Sequence, residues 1–578
     1  MVGISRVQGD IVEEGGPMRV LPGLTLRNAP RETFAGVTLL AIAVPLNIGY
    51  AQIAGLPPTA GLYSLIVPAV VYALIVSSRQ VVAAPDAAAS ALVASSLGGL
   101  AVAGSESYLV LAFAQAIIAG VVFALCAVFK LGFLATFLSK PILIGFVGGL
   151  ALDILVSQTA KMLGVKIDSG AEFVEKLVGL ITGLNTVNGW SVVISISAVV
   201  ILVAGRRFAR AVPWALVVLV VSTVAVVVWG LTERGVSVLG PVESGPPAFS
   251  WPVIPWVSWL QLIPSAIALA MVTMAEGLLV ARSYGEKNGY RTSPNRDLMA
   301  FGASNVAAGV SGGFTLGSST SRTAAMDQVG SRTQLPTLVV AVGTLLLVIF
   351  GTALLEDIPS PAIGAVVAVA ILPLLGVREF ISLWKRAKFE FVIGAVCFLG
   401  AVLLGPIAGI VVAFVLALVN LARRAANPAI DVLTVADSPA HSLLPADTKF
   451  TATVPGLVVL RFAAPLFFAN AQVFEDAVRK AVRAPSSVPV TDVVLDLEAV
   501  TDIDVTGAES FAAVVTWLGE HHVAVHLSRV RPDLEQKLRH FDLMGDVTVF
   551  GTNRAAIAAL GSTEAPPLRT DLPASNDK

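Results

Sequence analysis

Long apolar runs, broken by short polar or Gly/Pro-rich stretches, fill the chain from residue 33 to about residue 425. A helix needs roughly 20 apolar residues to cross the hydrocarbon core of a bilayer. On that criterion the runs predict segments at 33–55, 59–77, 85–103, 108–129, 140–162, 190–205 and 213–231. A second set follows at 262–281, 297–314, 319–329, 335–355, 361–376, 389–405 and 406–424, of which 319–329 is too short to cross alone. The period then changes. Residues 426–450 form a polar, Pro-containing linker, and from 451 to 562 short β-rich runs (GLVVLRF, DVVLDLEAV, VAVHLSRV) alternate with helical ones (NAQVFEDAVRKAVR, ESFAAVVTWLGEHH). That alternation predicts a small α/β domain. Residues 1–32 are expected as a cytoplasmic N-terminal segment and 563–578 as a disordered tail.

The basic residues give an orientation, because cytoplasmic loops carry the excess of Lys and Arg. Arg79, Lys130 and Lys140, Arg206 to Arg210, the cluster from Arg282 to Arg296, Arg332, Arg378 to Lys388, and Arg423 with Arg424 fall on alternate loops. The opposite loops hold few, with Lys161, Lys166 and Lys176 placed together in one long loop and Arg234 in another. The alternation supports an even number of spans with both termini cytoplasmic. The opening MVGISRVQGDIVEEGG lacks the charged-then-apolar layout of a cleaved signal, so insertion is expected to rely on the first span.

Composition narrows the class. The chain has 578 residues, 56% hydrophobic and only 13% charged, where about 25% charged is usual for a soluble protein. A net charge of −1 leaves no basic field for nucleic acid. Cys126 and Cys397 sit in apolar segments without metal-ligand spacing. His521 and His522 point apart at a helix end and are expected to be solvated. No Ser/His/Asp or paired-carboxylate arrangement points to catalysis, and neither cofactor nor metal is expected.

Two breaks carry the candidate chemistry. Ser77-Ser-Arg-Gln-Val-Val-Ala-Ala-Pro-Asp86 opens an Ala/Ser helix, and Gly312-Gly-Phe-Thr-Leu-Gly-Ser-Ser-Thr-Ser-Arg322 opens a short one. Interrupted apolar segments at matching places in two halves mark a transporter binding site. Helix N-termini offer free N–H groups and a positive dipole end, which suits an anion. Arg322 adds a guanidinium and Ser318 to Ser321 add hydroxyls. Glu276, in the middle of ALAMVTMAEGLLVA, is a plausible proton carrier, because a carboxylate crosses a membrane more cheaply when neutral. Asp86 after Pro85 fits a helix cap or a site residue, and it is expected to hold Arg322 as its counter-charge while the site is empty. Asp153 and Asp327 are expected to be structural or interfacial, and the Gly145/Gly148/Gly149 set to serve packing.

These segments resemble the sulfate permease (SulP) family of anion transporters. The resemblance lies in AGVTLLAIAVPLNIGYAQIAGLPPTAGLYSLIVPAVVYALIVSSRQ, KPILIGFVGGLALDILVSQ, NRDLMAFGASNVAAGVSGGF and GSSTSRTAAMDQVGSRTQL. In the tail, VPGLVVLRFAAPLFFANA and VVLDLEAVTDIDVTGAE are similar to the family's STAS domain. The resemblance implies an α-helical polytopic membrane protein of 14 transmembrane segments in two inverted seven-span repeats, divided into core and gate domains. It further implies a cytoplasmic STAS domain, a homodimer in the cell inner (plasma) membrane and elevator-like alternating access. Its substrate lies between the third and tenth helices, which here begin at Pro85 and Ser319. Carried over by position, the site comprises Tyr50, Asp86, Ala87, Ser321 and Arg322, with Glu276 for proton coupling. The expected substrate is a small inorganic or carboxylate anion, sulfate first, with bicarbonate and dicarboxylates as rivals. The expected coupling ion is a proton, or else sodium. An anion channel is the rival of another class. Thr506, at the turn where related STAS domains carry a phosphorylated hydroxyl, is a regulatory candidate, its partner unspecified. Two positions depart from the family pattern: Leu46 follows Pro45 where Gln is common, and Asp86 follows Pro85 where a small or hydroxyl residue is usual.

Overall fold

The computed structural model describes residues 21–132, 140–168, 171–208, 212–434, 444–445, 452–484, 488–545 and 547–561. Most of the N-terminal segment, the 563–578 tail and Arg210 lie outside the described residues. Two compact units divide at Ala417 and Leu418.

In the first unit each of the fourteen predicted segments overlaps helical structure. Among the described residues six helices are long and apolar enough to span a membrane: Ala29–Ile53, Pro58–Ile75, Glu106–Val128, Lys140–Leu163, Trp256–Asn288 and Ser360–Arg386. A seventh is added if Phe173–Thr186 and Gly189–Gly205, bent by 117°, count as one. The outer faces of Gly189–Phe208 and of the shorter apolar helix Trp214–Trp229 display Val193, Ile196, Val200, Val220, Val224 and Val228 to the surroundings, each more than half exposed. So much apolar surface is tolerated only where lipid covers it.

Inside, glycines set the helix spacing. A Cβ on Gly120 would stand 2.7 Å from the carbonyl oxygen of Gly302, and one on Gly302 2.9 Å from that of Gly120. Helices Glu106–Val128 and Pro294–Val310 therefore touch backbone to backbone there. Lys140–Leu163 meets Lys388–Leu403 in the same way, Gly149 lying where a Cβ would be 2.9 Å from the Phe398 carbonyl, so this glycine set serves packing.

Several expectations change. The segment 85–103 is no full span: its helix is Ala87–Leu97, 11 residues, followed by a turn at Gly98–Leu100. Its counterpart Thr320–Val329 has 10 residues. At 1.5 Å per residue each covers about half of a ~30 Å hydrocarbon core. The loop assigned to Lys161, Lys166 and Lys176 is partly helical. Lys161 belongs to Lys140–Leu163, and Lys176, in the helix Phe173–Thr182, is buried against Asp153 with Nζ 2.8 Å from Oδ2. The basic run 378–386 forms the amphipathic helix Val377–Arg386.

The halves meet in a two-stranded ladder. β1 (Ala83–Ala84) pairs antiparallel with β2 (Gly317–Ser318) in the register Ala83–Ser318, Ala84–Gly317. Each strand leads directly into one half-helix, so the ladder brings both N-termini to one place.

The second unit holds a six-stranded sheet. β3 (Ile430–Thr434) is antiparallel both to β4 (Leu444–Pro445) and to β5 (Leu457–Phe462). β5, β6 (Asp492–Asp496), β7 (Ala524–Ser528) and β8 (Thr548–Phe550) run parallel, in the order β4-β3-β5-β6-β7-β8. The helices Ala471–Val482, Val505–Glu520 and Pro532–His540 make the crossovers that parallel neighbours require. Val458, Leu460 and Phe462 enter one apolar cluster and Leu457 and Val459 another, so β5 is buried on both faces. The stretch 426–450 is thus not simply a linker, because Ile430–Thr434 completes one side of this sheet. Its Ile-Asp-Val-Leu-Thr alternation is too short to stand out in a polar context.

Candidate functional site

The site grows out of the ladder. Past Ala84, Pro85 cannot donate a backbone hydrogen bond, and Asp86 takes the extended conformation of an N-cap, its Oδ1 accepting from Ala89 N at 2.7 Å. Past Ser318, Ser319 caps the second half-helix, its hydroxyl accepting from Arg322 N at 3.4 Å. The two breaks are stitched together: Ser319 N donates to Val82 O at 2.9 Å, and Val82 N donates to Thr323 Oγ1 at 3.1 Å. Gln334 Nε2 bridges Ser78 O and Val81 O at 2.9 and 3.0 Å. Asn305 pins the approach to β2, accepting from Leu316 N at 2.9 Å.

Among the described residues Arg322 is the largest fully buried side chain, at 0% exposure. One guanidinium nitrogen, Nη2, donates to the carbonyl oxygen of Pro85. Its Nε and Nη1 have no protein partner. Tyr50, from the helix Ala29–Ile53, sets its ring 5.8 Å from the guanidinium carbon. A buried cation without an ion-pair partner costs several kcal/mol, and two unpaired donors beside two helix N-termini suit an anion.

Glu276 lies in the helix Trp256–Asn288, whose Gly277 packs so closely that a Cβ there would be 2.8 Å from the Phe301 ring. The same Cβ would lie 3.6 Å from Ser318 Cβ, and Glu276 stands beside the second half-helix, where Thr320 Oγ1 donates to its Oε1 at 3.0 Å.

Tyr50, Asp86, Ala87, Glu276 and Arg322 are therefore gathered around the two half-helix starts. Ala87 is buried as the first helical residue, and Ser321 is exposed one residue before Arg322. An ion pair between Asp86 and Arg322, the natural expectation for two opposite charges at facing helix starts, is not formed. The Asp86 carboxylate is turned to its own helix and lies against Gly317, where a Cβ would collide with it. The sequence reading missed the Pro85 carbonyl and Thr320 as the partners of Arg322 and Glu276. Only the spacing within the Ser319–Arg322 run hinted at Thr320.

Asp153 and Asp327 are ion-paired: Asp327 takes Lys287 at 2.6 Å and Arg332 at 3.2 Å. In the second unit Thr506 is exposed in the first turn of Val505–Glu520, whose cap Asp504 accepts from Gly507 N at 2.7 Å and from Phe468 N at 3.0 Å. Lys537 beside Asp502 holds that carboxyl below the usual carboxylate range. His521 bonds the Trp517 carbonyl with its own Nδ1 at 2.8 Å and stacks on the Trp517 ring.

Comparison with known proteins agrees with this architecture. The Sulfate permease family model matches residues 31–397 and the STAS domain model residues 449–556. Among curated relatives, a "Probable sulfate transporter" of Mycobacterium tuberculosis is 33% identical over 91% of this chain and 94% of its own length. Sulfate transporter 3.1 of Arabidopsis thaliana is 26% identical over 91% of this chain and 83% of its own. Murine Solute Carrier 26 family member A9, an anion transporter solved in the inward-facing state, superposes with a TM-score of 0.83 at 20% identity, covering 93% of this chain and 92% of its own. The transmembrane domain of a cyanobacterial bicarbonate transporter, BicA, gives 0.57 at 22% identity over 68% of this chain and 98% of that one. The chain is a multi-pass helical membrane protein with a C-terminal STAS domain, and it belongs to the sulfate permease family.

Proposed function

We propose that the chain is a secondary active transporter of a small anion, sulfate first, driven by proton symport through Glu276. The observation that carries this reading is Arg322, wholly buried at two facing half-helix starts with Nε and Nη1 unpartnered. An oxyanion there accepts from both nitrogens and from backbone N–H groups of both half-helices. The names of the curated relatives favour sulfate. Glu276, bonded to Thr320 at the opening of the same half-helix, couples the site to protons: its neutral form lets the loaded site move through the membrane without an extra charge. We take the transport domain to be fourteen segments in two inverted seven-span repeats, core and gate, moving by elevator-like alternating access in a homodimer of the cell inner membrane. Both termini are assigned to the cytoplasm from the alternation of basic loops. The domain limits are 33–425 for transport and, since β3 belongs to the sheet, about 427–562 for the STAS unit. Thr506 marks the turn at which that unit is regulated.

A second reading has one observation in its favour. The Asp86 carboxylate adds negative charge at the anion site and penalises a dianion more than a monoanion such as bicarbonate. Uptake of radiolabelled sulfate into liposomes, competed by bicarbonate and fumarate under an imposed pH gradient, separates the readings. Acid-driven sulfate accumulation is expected. Competition by bicarbonate alone moves the substrate to the second reading, and conductance without accumulation identifies a channel.

A further inference from the structure

Beyond the half-helix starts, a second polar cluster lies along the flank of Ala87–Leu97. Lys161, from Lys140–Leu163, donates from Nζ to Gln52 Oε1 at 3.1 Å, and among the described residues no carboxylate pairs with it. One turn earlier Gln158 is 1% exposed, and both its Nε2 and its Oε1 lack a partner. Gln52, Gln158 and Lys161 line a cavity of about 20 Å³ whose floor is Ala91 and Ala94 of the half-helix. Asp153 borders it too, but its charge is taken by Lys176 at 2.8 Å. The cluster therefore carries one uncompensated positive charge beside an amide with a free donor.

Resting on the reading of the chain as an anion transporter, we propose that Lys161, Gln158 and Gln52 form a second anion station, which receives the substrate oxyanion after it leaves Arg322. The half-helix shows why one is needed. Ala91 and Ala94 lie about 6 and 10 Å further along its axis than Ala87. An anion that moves from its positive N-terminal end toward its C-terminus meets the unfavourable end of the dipole. Lys161 offsets that field, Gln158 Nε2 donates to the passing oxygen, and the small side chains of Ala91 and Ala94 leave the lane clear. In this conformation the cavity holds a water at most, since one water needs roughly 10–15 Å³ of such space. The station is closed here, and the charge that opens to the anion is already in place. A purely structural role leaves the buried amide of Gln158 unexplained, because an unsatisfied buried amide is destabilising where an apolar side chain of the same shape would not be.

The test uses the full-length chain in liposomes, with Cys126 and Cys397 replaced by alanine and Gln158→Cys introduced. Modification is timed with two thiosulfonate reagents of similar size, one bearing a sulfonate and one a trimethylammonium group. A cationic station speeds the anionic reagent relative to the cationic one by about tenfold or more. That preference is expected to vanish in Lys161→Gln, to persist in Lys161→Arg and to be suppressed by sulfate. Any change in thiol acidity acts on both reagents alike, so the ratio isolates the field. Equal rates, no reaction with either reagent, or a ratio indifferent to Lys161 overturns the station. Uptake by the cysteine-free parent is measured in parallel. If that parent takes up no anion while the Lys161-dependent ratio stands, the transporter reading fails and the site does not. If uptake stands and the ratio is flat, the station alone fails.

Discussion

Arg322 donates a hydrogen bond to the carbonyl oxygen of Pro85, 237 residues upstream, and that contact joins the second half-helix to the residue that opens the first. Pro85 suits the role because its ring lets the chain turn into the helix while leaving the carbonyl free. The bond fixes Nη2 and leaves Nε and Nη1 without a protein partner.

Removing that guanidinium is expected to remove the site. Charge-assisted hydrogen bonds are worth about 1.5–3 kcal/mol each, so Arg322→Ala should weaken sulfate binding by about 100-fold or more. Arg322→Lys should not rescue it, because a single ammonium cannot hold Pro85 O and present two further donors in a fixed plane. Calorimetry on both variants measures this. Wild-type affinity in Arg322→Ala would place the anion elsewhere.

Glu276→Gln keeps the shape and a hydrogen-bonding partner for Thr320 but cannot carry a proton. It should lose acid-driven accumulation and retain counterflow of the same anion. Thr320→Val, which leaves the carboxyl without its donor, should shift the pH dependence of uptake without abolishing accumulation. Unchanged accumulation by Glu276→Gln under a pH gradient would exclude it as the carrier.

For Asp86 the two roles give opposite patterns. As a cap, its replacement by Asn should leave thermal stability nearly unchanged and its replacement by Ala should cost about 1 kcal/mol. As a negative charge near the site, it should weaken dianion binding, so Asp86→Asn should bind sulfate more tightly. Melting and calorimetry on the same preparations separate the roles, and unchanged affinity in Asp86→Asn would leave the cap alone.

Gly317 faces the Asp86 carboxylate where a Cβ would strike it. Gly317→Ala should therefore push the Asp86 carboxylate off its cap on Ala89 N and lower uptake while membrane insertion persists. Gly99→Ala, with nothing within 4 Å of the added carbon, is the matched control and should transport normally. Full uptake by Gly317→Ala would show that Asp86 can leave its cap without loss of transport.

A truncation that tests regulation must begin before β3, since a cut at residue 440 strands Ile430–Thr434 without its partner β5. Deleting 427–578 removes the sheet whole. Regulation through the Thr506 turn predicts a changed uptake rate per inserted molecule, counted by quantitative immunoblotting of the membranes. An unchanged rate would leave the STAS unit without a role in transport.

The sequence alone determined the membrane class, the positions of the helical segments, the α/β tail and the two broken stretches. These follow from composition and local period, and burial in lipid acts on every apolar residue of a run independently of its neighbours in space. Arg322 and Glu276 also stood out from sequence, because charge in an apolar run is costly wherever the chain folds. What the sequence left open depended on contacts between distant residues. The pairing of Ala83 with Ser318, the Pro85 carbonyl under Arg322, the hydroxyl of Thr320 on Glu276 and the absence of an Asp86–Arg322 pair are set by how two halves of the chain meet. Segment 85–103 passed for a full span because its apolar length exceeds its helix, which ends at Leu97. Lys161 and Lys176 passed for loop residues because a charge near a span end has the same local pattern whether it faces water or turns inward. Only the packing of Gln52, Asp153 and Gln158 around them decided that they turn inward, since the low dielectric between helices makes a buried charge stable only where partners converge on it.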